Sequence, residues 1–474
     1  MSTTTEAPKK NRTVLDQHGQ TYELTGRIGE GGQGIVCTTN YPNVLVKVAR
    51  ATTEEKRASW TNKIRALMRQ PLEGLPIAHP LALITQPQPG YVMELMDGLA
   101  PMTELMQVAT DALMSDDGLS GYVKTGGLLR RLKMIARLAR VLAELHGRGL
   151  AYGDLSPANV FASQSFEYAE VWLIDADNVA SQSRDGQQGV FTPDYGAPEI
   201  LRGESGINTL TDSWSFAVMA YRILTLVHPL KGDVVLEGEP EREEAALRGE
   251  LPWVDHPTDR SNALSIGLPR EITLNAPLRA LFERCFNAGL NSPGDRPSLS
   301  EWADAFEAAT GHCDQCESCG STFFYSSKQT CPFCDHSQDK NRTILLQEYR
   351  YMPPELLREG LTEDVPESLI RKECWTRTGK AMVLSMSPAE LKTLPLGTSL
   401  YADASTLCTV QLAKDGLWIE PSAGTRISLQ RASDDKVVAV ARRQRLKSDS
   451  RSGASFWLHL GAVEEEHVVW RFNW

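Results

Sequence analysis

The chain has 474 residues, 41% hydrophobic and 23% charged, with a formal charge of −11. That length exceeds what one hydrophobic core supports and predicts two or three domains. The composition excludes a largely disordered or membrane-embedded chain, and the acidic balance argues against nucleic-acid binding as the main activity. Residues 1–13 are polar and lack the apolar run of a signal or anchor, so a cytoplasmic protein with no membrane partner is expected.

In chain order, a polar tail is expected over residues 1–20. Gly29, Gly31, Gly34 and Val36 then spell G-x-G-x-x-G-x-V, with Gly32 inside the run. A glycine-rich hairpin lets backbone approach phosphates that a β-carbon would hold away. An apolar strand over residues 44–49 follows and carries Lys47, whose neighbours on its own face are Leu45 and Ala49. Lys47 is therefore read as the group that neutralises the α- and β-phosphates of ATP. Residues 90–98 form a second apolar strand leading into a turn. It is read either as an adenine hinge, with backbone around Glu94 to Met96 pairing with the base and Met93 behind it, or as one more core strand.

Leu128, Leu132, Ile135, Ala139, Leu142 and Leu145 recur every three or four positions and predict an amphipathic helix that Gly147 and Gly149 end. The loop beyond it reads Tyr152-Gly153-Asp154-Leu155-Ser156-Pro157-Ala158-Asn159, and Leu173-Ile174-Asp175 follows. Phosphoryl transfer needs one carboxylate to orient the attacking hydroxyl and oxygen ligands to hold Mg²⁺ (or Mn²⁺). Asp154 is the candidate for the first role, Asn159 and Asp175 for the second. Residues 214–230, the most apolar segment, carry Arg222 and end at His228-Pro229, which predicts a buried helix and not a membrane span.

These motifs, with Ala197-Pro198-Glu199, Asp212-Ser213-Trp214 and Arg296-Pro297-Ser298, resemble the eukaryotic-type Ser/Thr protein kinases of the bacterial kind over residues 21–310. The resemblance implies an α+β fold with a bilobal kinase domain, ATP-dependent phosphorylation of protein Ser/Thr, a protein substrate, and a Glu199–Arg296 pair. Four positions depart from the family. Tyr152-Gly153 replaces His-Arg, so activation-loop phosphorylation is not expected to be needed. Ser156 replaces a lysine, and Asp175-Ala176-Asp177 replaces Asp-Phe-Gly. No Glu occurs between Lys56 and Leu72, which leaves Glu54, Glu55 or Glu73, an unconventional supplier, or no residue as partner for Lys47. A pseudokinase scaffold and a small-molecule phosphotransferase similar to antibiotic and choline kinases stay open as alternatives. Ser181, Ser183, Thr192 and Tyr195 are candidate self-phosphorylation sites, with Ser181 or Ser183 expected first.

Cys316-Glu317-Ser318-Cys319-Gly320 and Cys331-Pro332-Phe333-Cys334 place two C-x-x-C pairs in residues 311–338, and four thiolates satisfy a structural Zn²⁺. Cys313 offers an alternative register. Over residues 339–474, six short apolar runs broken by turns predict a small β-rich domain, a sandwich or barrel, and a candidate partner-binding module. Trp457, Trp470, Phe472 and Trp474 are read as its core. Arg442, Arg443, Arg445 and Lys447 are read as a solvated charged face. A kinase followed by a zinc ribbon also resembles bacterial kinases of tellurium-resistance-associated phosphorylation triads, which implies a von Willebrand A protein and a PP2C-type phosphatase as partners.

Overall fold

The computed structural model describes residues 12–30, 34–50, 53–94, 96–115, 118–181, 191–326, 330–339, 341–359, 365–393, 404–434 and 436–474. Six strands, β1 (Arg12–Asp16), β2 (Thr21–Glu30), β3 (Gly34–Thr39), β4 (Val44–Ala49), β5 (Ala82–Gln86) and β6 (Gly90–Glu94), close into a barrel in the order β1-β2-β3-β4-β6-β5. Its core gathers Val14, Tyr22, Val46, Ala82, Ile84 and Val92. Part of the stretch expected as a polar tail is thus strand, because Val14 sits opposite Tyr22 and its side chain is needed inside the barrel. Helix α1 (Glu54–Leu67) starts where the Thr53 hydroxyl accepts from the Lys56 amide, and it buries Ile64 and Leu67.

All six apolar positions expected on one helix face are buried in the Gly127–Gly147 helix. The apolar segment expected as a buried helix is the end of helix Thr209–Thr225, opened by a reciprocal Asn208–Thr211 capping box. This helix stops before His228 because Leu226 takes a left-handed conformation at φ 62°. Among the described residues no helix is long and apolar enough to cross a membrane.

Two compact units share the chain: Met1–Gly126, Met134–Leu268 and Arg279–Ala303 make one, and Gly127–Lys133, Pro269–Leu278 and Asp304–Trp474 the other. Beyond the cysteine hairpin, the second unit holds two antiparallel sheets. The six-stranded one runs Trp375–Leu384, Ile344–Tyr351, His467–Asn473, Ser455–His459, Ser428–Arg431, Val437–Ala439. Its four-stranded neighbour runs Ala389–Thr393, Ser405–Ala413, Gly416–Pro421, Gln444–Lys447. Both contribute to one core that includes Leu346, Leu458, Phe472, Val410, Leu412 and Ile419, as in a sandwich.

Each of the six apolar runs, at residues 343–346, 417–419, 426–429, 436–440, 456–460 and 468–472, overlaps a strand. Ser405–Ala413 escaped the reading because Cys408, Val410 and Leu412 alternate with polar residues instead of running together. Trp470, Phe472 and Trp474 are core as expected, but Trp457 is not. It stacks on Trp375 at 4.2 Å on the opposite face of the six-stranded sheet. The basic stretch is partly paired: Arg443 meets Glu420, Arg445 meets Asp415, and both guanidinium groups lie over Trp418.

Candidate active site

Lys47 is 3% exposed on β4, across from Val36 of β3. Its Nζ donates to Asp175 Oδ1 at 2.5 Å and to Asp177 Oδ2 at 2.7 Å. Burial opposes the charge on Lys47, yet Asp177 and Asp175 outweigh it and hold the ammonium pKa above its ordinary value. Of the partners left open for Lys47, Glu54, Glu55 and Glu73 are exposed, and the buried carboxylate beside the lysine is an unconventional one, Asp177.

The loop bearing Asp154 is fixed from below by Asp212, whose oxygens accept from the amides of Tyr152 (2.6 Å) and Gly153 (2.9 Å) and meet His146 Nε2 at 3.0 Å. Gly153 has φ 90°, and a β-carbon there would come within 3.0 Å of Asn178 O. A glycine therefore stands where the family carries arginine because this loop path excludes a side chain. Tyr152 is fully buried and its hydroxyl donates to Ile174 O, tying the two loops together.

Asp154 Oδ1 accepts from both the amide (2.9 Å) and the hydroxyl (2.8 Å) of Thr192, and Oδ2 accepts from Asn159 Nδ2 at 3.2 Å. Burial pushes the Asp154 carboxyl above its usual range, against the lowering pull of the Thr192 hydrogen bonds. Asn159 O accepts from Ile174 N at 2.9 Å, which brings Asn159 beside Asp175. Asp175 sits in the left-handed region at φ 58° and ψ 53°, the kind of backbone strain that concentrates at functional sites. Lys47, Asp154, Asn159 and Asp175 thus converge as one polar cluster.

Gly29 lies on β2 opposite Val36. At Gly34 a β-carbon would strike Val48 O at 2.6 Å, so the close approach of β4 requires this glycine. Gly31 and Gly32 lie outside the described residues. Glu94 ends β6 with its side chain exposed, and Met96 is 43% exposed, which leaves their backbone groups as the hinge candidates, while Met93 is 2% exposed.

Downstream, Glu199 and Arg296 form the expected pair through two 2.8 Å hydrogen bonds, with the guanidinium over Trp214. Lys231 Nζ lies 2.8 Å from Asp194 Oδ1, and Arg222 donates to the Tyr195 hydroxyl at 2.6 Å. Tyr195 is 7% exposed and Thr192 is engaged with Asp154, whereas Ser181 is exposed; Ser183 lies outside the described residues. Asp177, Asp212 and Thr192 were not singled out as partners in the sequence, since nothing local marks a contact between distant segments.

The Sγ atoms of Cys316, Cys319, Cys331 and Cys334 all lie within 4.8 Å of one another. Tetrahedral Zn–S bonds of about 2.3 Å require sulfurs about 3.8 Å apart, and Cys316–Cys334 and Cys319–Cys331 are separated by 3.6 and 3.7 Å. The two knuckles repeat one geometry. Gly320 (φ 71°) and Asp335 (φ 56°) each follow the second cysteine, and their amides donate 3.0 Å bonds to Cys316 O and Cys331 O. Cys313 is outside the cluster, with its sulfur 3.6 Å from Ala309 O. Within this unit Thr322 Oγ1 accepts from Leu129 N at 3.0 Å, capping the start of the Gly127–Gly147 helix, whose N-cap position, Gly126, has no side chain to do so.

A closed barrel presenting a buried lysine to two adjoining loops that carry two aspartates and an asparagine defines a phosphotransferase fold. The chain belongs to the protein kinase family, whose domain matches residues 22–304. It is 33% identical over 111 residues to the serine/threonine-protein kinase pkn2 of Myxococcus xanthus, covering 22% of this chain and 13% of that protein. It is 26% identical over 237 residues to the serine/threonine-protein kinase PknD of Chlamydia felis, covering 45% and 25%. Over 302 residues it is 26% identical to the serine/threonine-protein kinase mos of Patiria pectinifera, covering 61% and 75%. The chain thus spans an eighth to a quarter of the length of the first two relatives.

Proposed function

We propose that the chain is an ATP- and Mg²⁺-dependent protein Ser/Thr kinase. The observation that carries this reading is the convergence of Lys47, Asp154, Asn159 and Asp175, each held by named partners. Bound Mg²⁺ supplies positive charge to the phosphates, and Asn159 and Asp175 are the residues that would hold it. Asp175 is the more open of the two carboxylates at Lys47, with 32% of its side chain exposed.

Asp154 accepts a hydrogen bond from the substrate hydroxyl and aligns its oxygen for attack, and Thr192 keeps that carboxylate oriented. Lys47 holds the α- and β-phosphates, Gly29, Gly31, Gly32, Gly34 and Val36 cover them, and the backbone at Glu94 and Met96 pairs with adenine. The segment through Asp194, Tyr195 and Glu199, anchored by Lys231, Arg222 and Arg296, forms a platform suited to a polypeptide more than to a small molecule.

Zn²⁺ at Cys316, Cys319, Cys331 and Cys334 is structural, because four sulfurs leave no open coordination position. The β-rich domain at residues 339–474 is the candidate partner module. Its partners in a cytoplasmic signalling system are proposed to be a von Willebrand A protein and a PP2C-type phosphatase. The test is incubation with Mg-ATP and a generic Ser/Thr protein substrate, read by mass spectrometry, beside Asp154→Ala and Asp175→Ala. Phosphosites made only by the parent uphold the kinase reading. ATP binding without transfer by any form replaces it with a scaffold.

A further inference from the structure

Helix α1 offers Lys47 no carboxylate. From Lys56 to Leu67 its ionisable residues are Lys56, Arg57, Lys63 and Arg65, all cationic, and its two glutamates, Glu54 and Glu55, are exposed in the first turn. Asp177 lies instead on the short turn Ala176–Asn178 directly after Asp175, and helix α1 packs beside that turn. Its side chain is fully buried, and both carboxylate oxygens are engaged. Oδ2 accepts from Lys47 Nζ at 2.7 Å, and Oδ1 accepts from the Tyr91 hydroxyl at 2.8 Å. Tyr91 is itself fully buried, sits opposite Lys47 across β4 and β6, and stacks on Trp60 of helix α1 with ring centroids 5.9 Å apart.

We propose that Asp177 is the positioning residue for Lys47, taking over the task of the absent helix glutamate, with Tyr91 fixing Asp177 and Trp60 of helix α1 packed on Tyr91. This rests on the reading of Lys47 as the phosphate-holding group. The two aspartates of the Asp-Ala-Asp turn then divide their work by environment. Asp175, partly open, is free to turn to a cation, whereas Asp177 would have to give up a lysine and a tyrosine to do so. A buried carboxylate held at both oxygens keeps one orientation, so the ammonium stays aimed when Asp175 is occupied elsewhere. Because the lysine and its anchor ride on strand β4 and the Asp175 turn, outward movement of helix α1 does not break the pair. It acts through Trp60 on Tyr91 and through the packing of helix α1 beside the Ala176–Asn178 turn.

The test is a cycle of Lys47→Met, Asp177→Asn and the double variant, with Tyr91→Phe as a milder change that leaves every charge in place. Initial rates are read against ATP at several Mg²⁺ concentrations, and folding is followed by circular dichroism. Asp177→Asn is expected to lower kcat about 100-fold, the scale of a misplaced catalytic group, with KM for ATP nearly unchanged. The double variant should then be no worse than Lys47→Met alone, because the two residues act as one unit. Tyr91→Phe should lose about 10-fold, the equivalent of one hydrogen bond to a charged group. Full activity in both Asp177→Asn and Tyr91→Phe, beside an inactive Lys47→Met, overturns the role of Asp177 alone. Recovery of Asp177→Asn by raised Mg²⁺, with losses that add to those of Lys47→Met, overturns it in favour of a metal ligand. Full activity in Lys47→Met overturns the reading of the ATP site and this proposal with it.

Discussion

Removing either partner of the Glu199–Arg296 pair should unfold the kinase domain at markedly lower temperature. The Arg296 side chain is 0% exposed and that of Glu199 7%. Besides the two 2.8 Å bonds between them, Arg296 Nε donates to Gly289 O at 2.8 Å and Nη1 to Leu210 O at 3.0 Å. In Arg296→Met the Glu199 carboxylate stays buried without its hydrogen-bonded counter-charge and two carbonyls lose their donor. Breaking a buried pair from one side costs about 3–5 kcal/mol. At about 2–4 °C per kcal/mol for a domain approaching this size, the transition should fall by about 6–20 °C. Glu199→Leu with Arg296→Met should recover part of that loss, because no charge is then stranded. Urea unfolding followed by tryptophan fluorescence reads this directly, since Trp214 lies under the guanidinium at 4.9 Å. A single substitution costing less than about 1 kcal/mol, the range of an exposed pair, would refute the argument.

Thr192→Val removes a hydroxyl bond that pulls the raised Asp154 pKa back down. Activity is lost as pH falls through that pKa, so the acid limb of the pH–rate profile should move to higher pH, with Thr192→Ser restoring it; an unmoved profile counts against Asp154 as the acceptor. Burial pushes the His228 pKa from 6.5 down to about 3. The unfolded chain therefore takes up the proton first, and stability present above pH 6.5 is lost as pH falls toward 3, at up to about 1.4 kcal/mol per pH unit. His228→Asn should flatten that slope in acid-unfolding curves. Metal analysis should find one Zn²⁺ per chain, and Cys331→Ser or chelation should remove it and raise protease cleavage between residues 311 and 338; a chain containing neither zinc nor iron rules the centre out. Phosphopeptide mapping after self-phosphorylation should find Ser181 or Ser183 ahead of Thr192 and Tyr195, because Thr192 is bonded to Asp154 and Tyr195 is buried.

Local spacing made much of the site legible. The Asp154–Asn159 loop closes on itself, with Asn159 Nδ2 donating to Asp154 O at 2.8 Å, so five residues of sequence carry its geometry. The cysteine knuckles are equally local. Amphipathic periodicity placed the Gly127–Gly147 helix within one residue at each end. Strand Ser405–Ala413 was missed because its burial alternates, and β1 because Val14 is its one buried hydrophobic residue while the strand is held by backbone pairing to β2 and β5.

Taken alone, then, the sequence determined the residue types, the short loops that present them and the periodic faces that bury them, since covalent spacing constrains geometry over a few residues. It left the partner of Lys47 open among three glutamates, an unconventional residue and none, and the structure supplies the unconventional one. The carboxylates that meet this lysine lie 128 and 130 positions further along the chain, and Tyr91 reaches Asp177 across 86. Only closure of the barrel beside the Asp175 turn brings these groups together, and there the burial of Asp177 and Tyr91 makes their pairing obligatory.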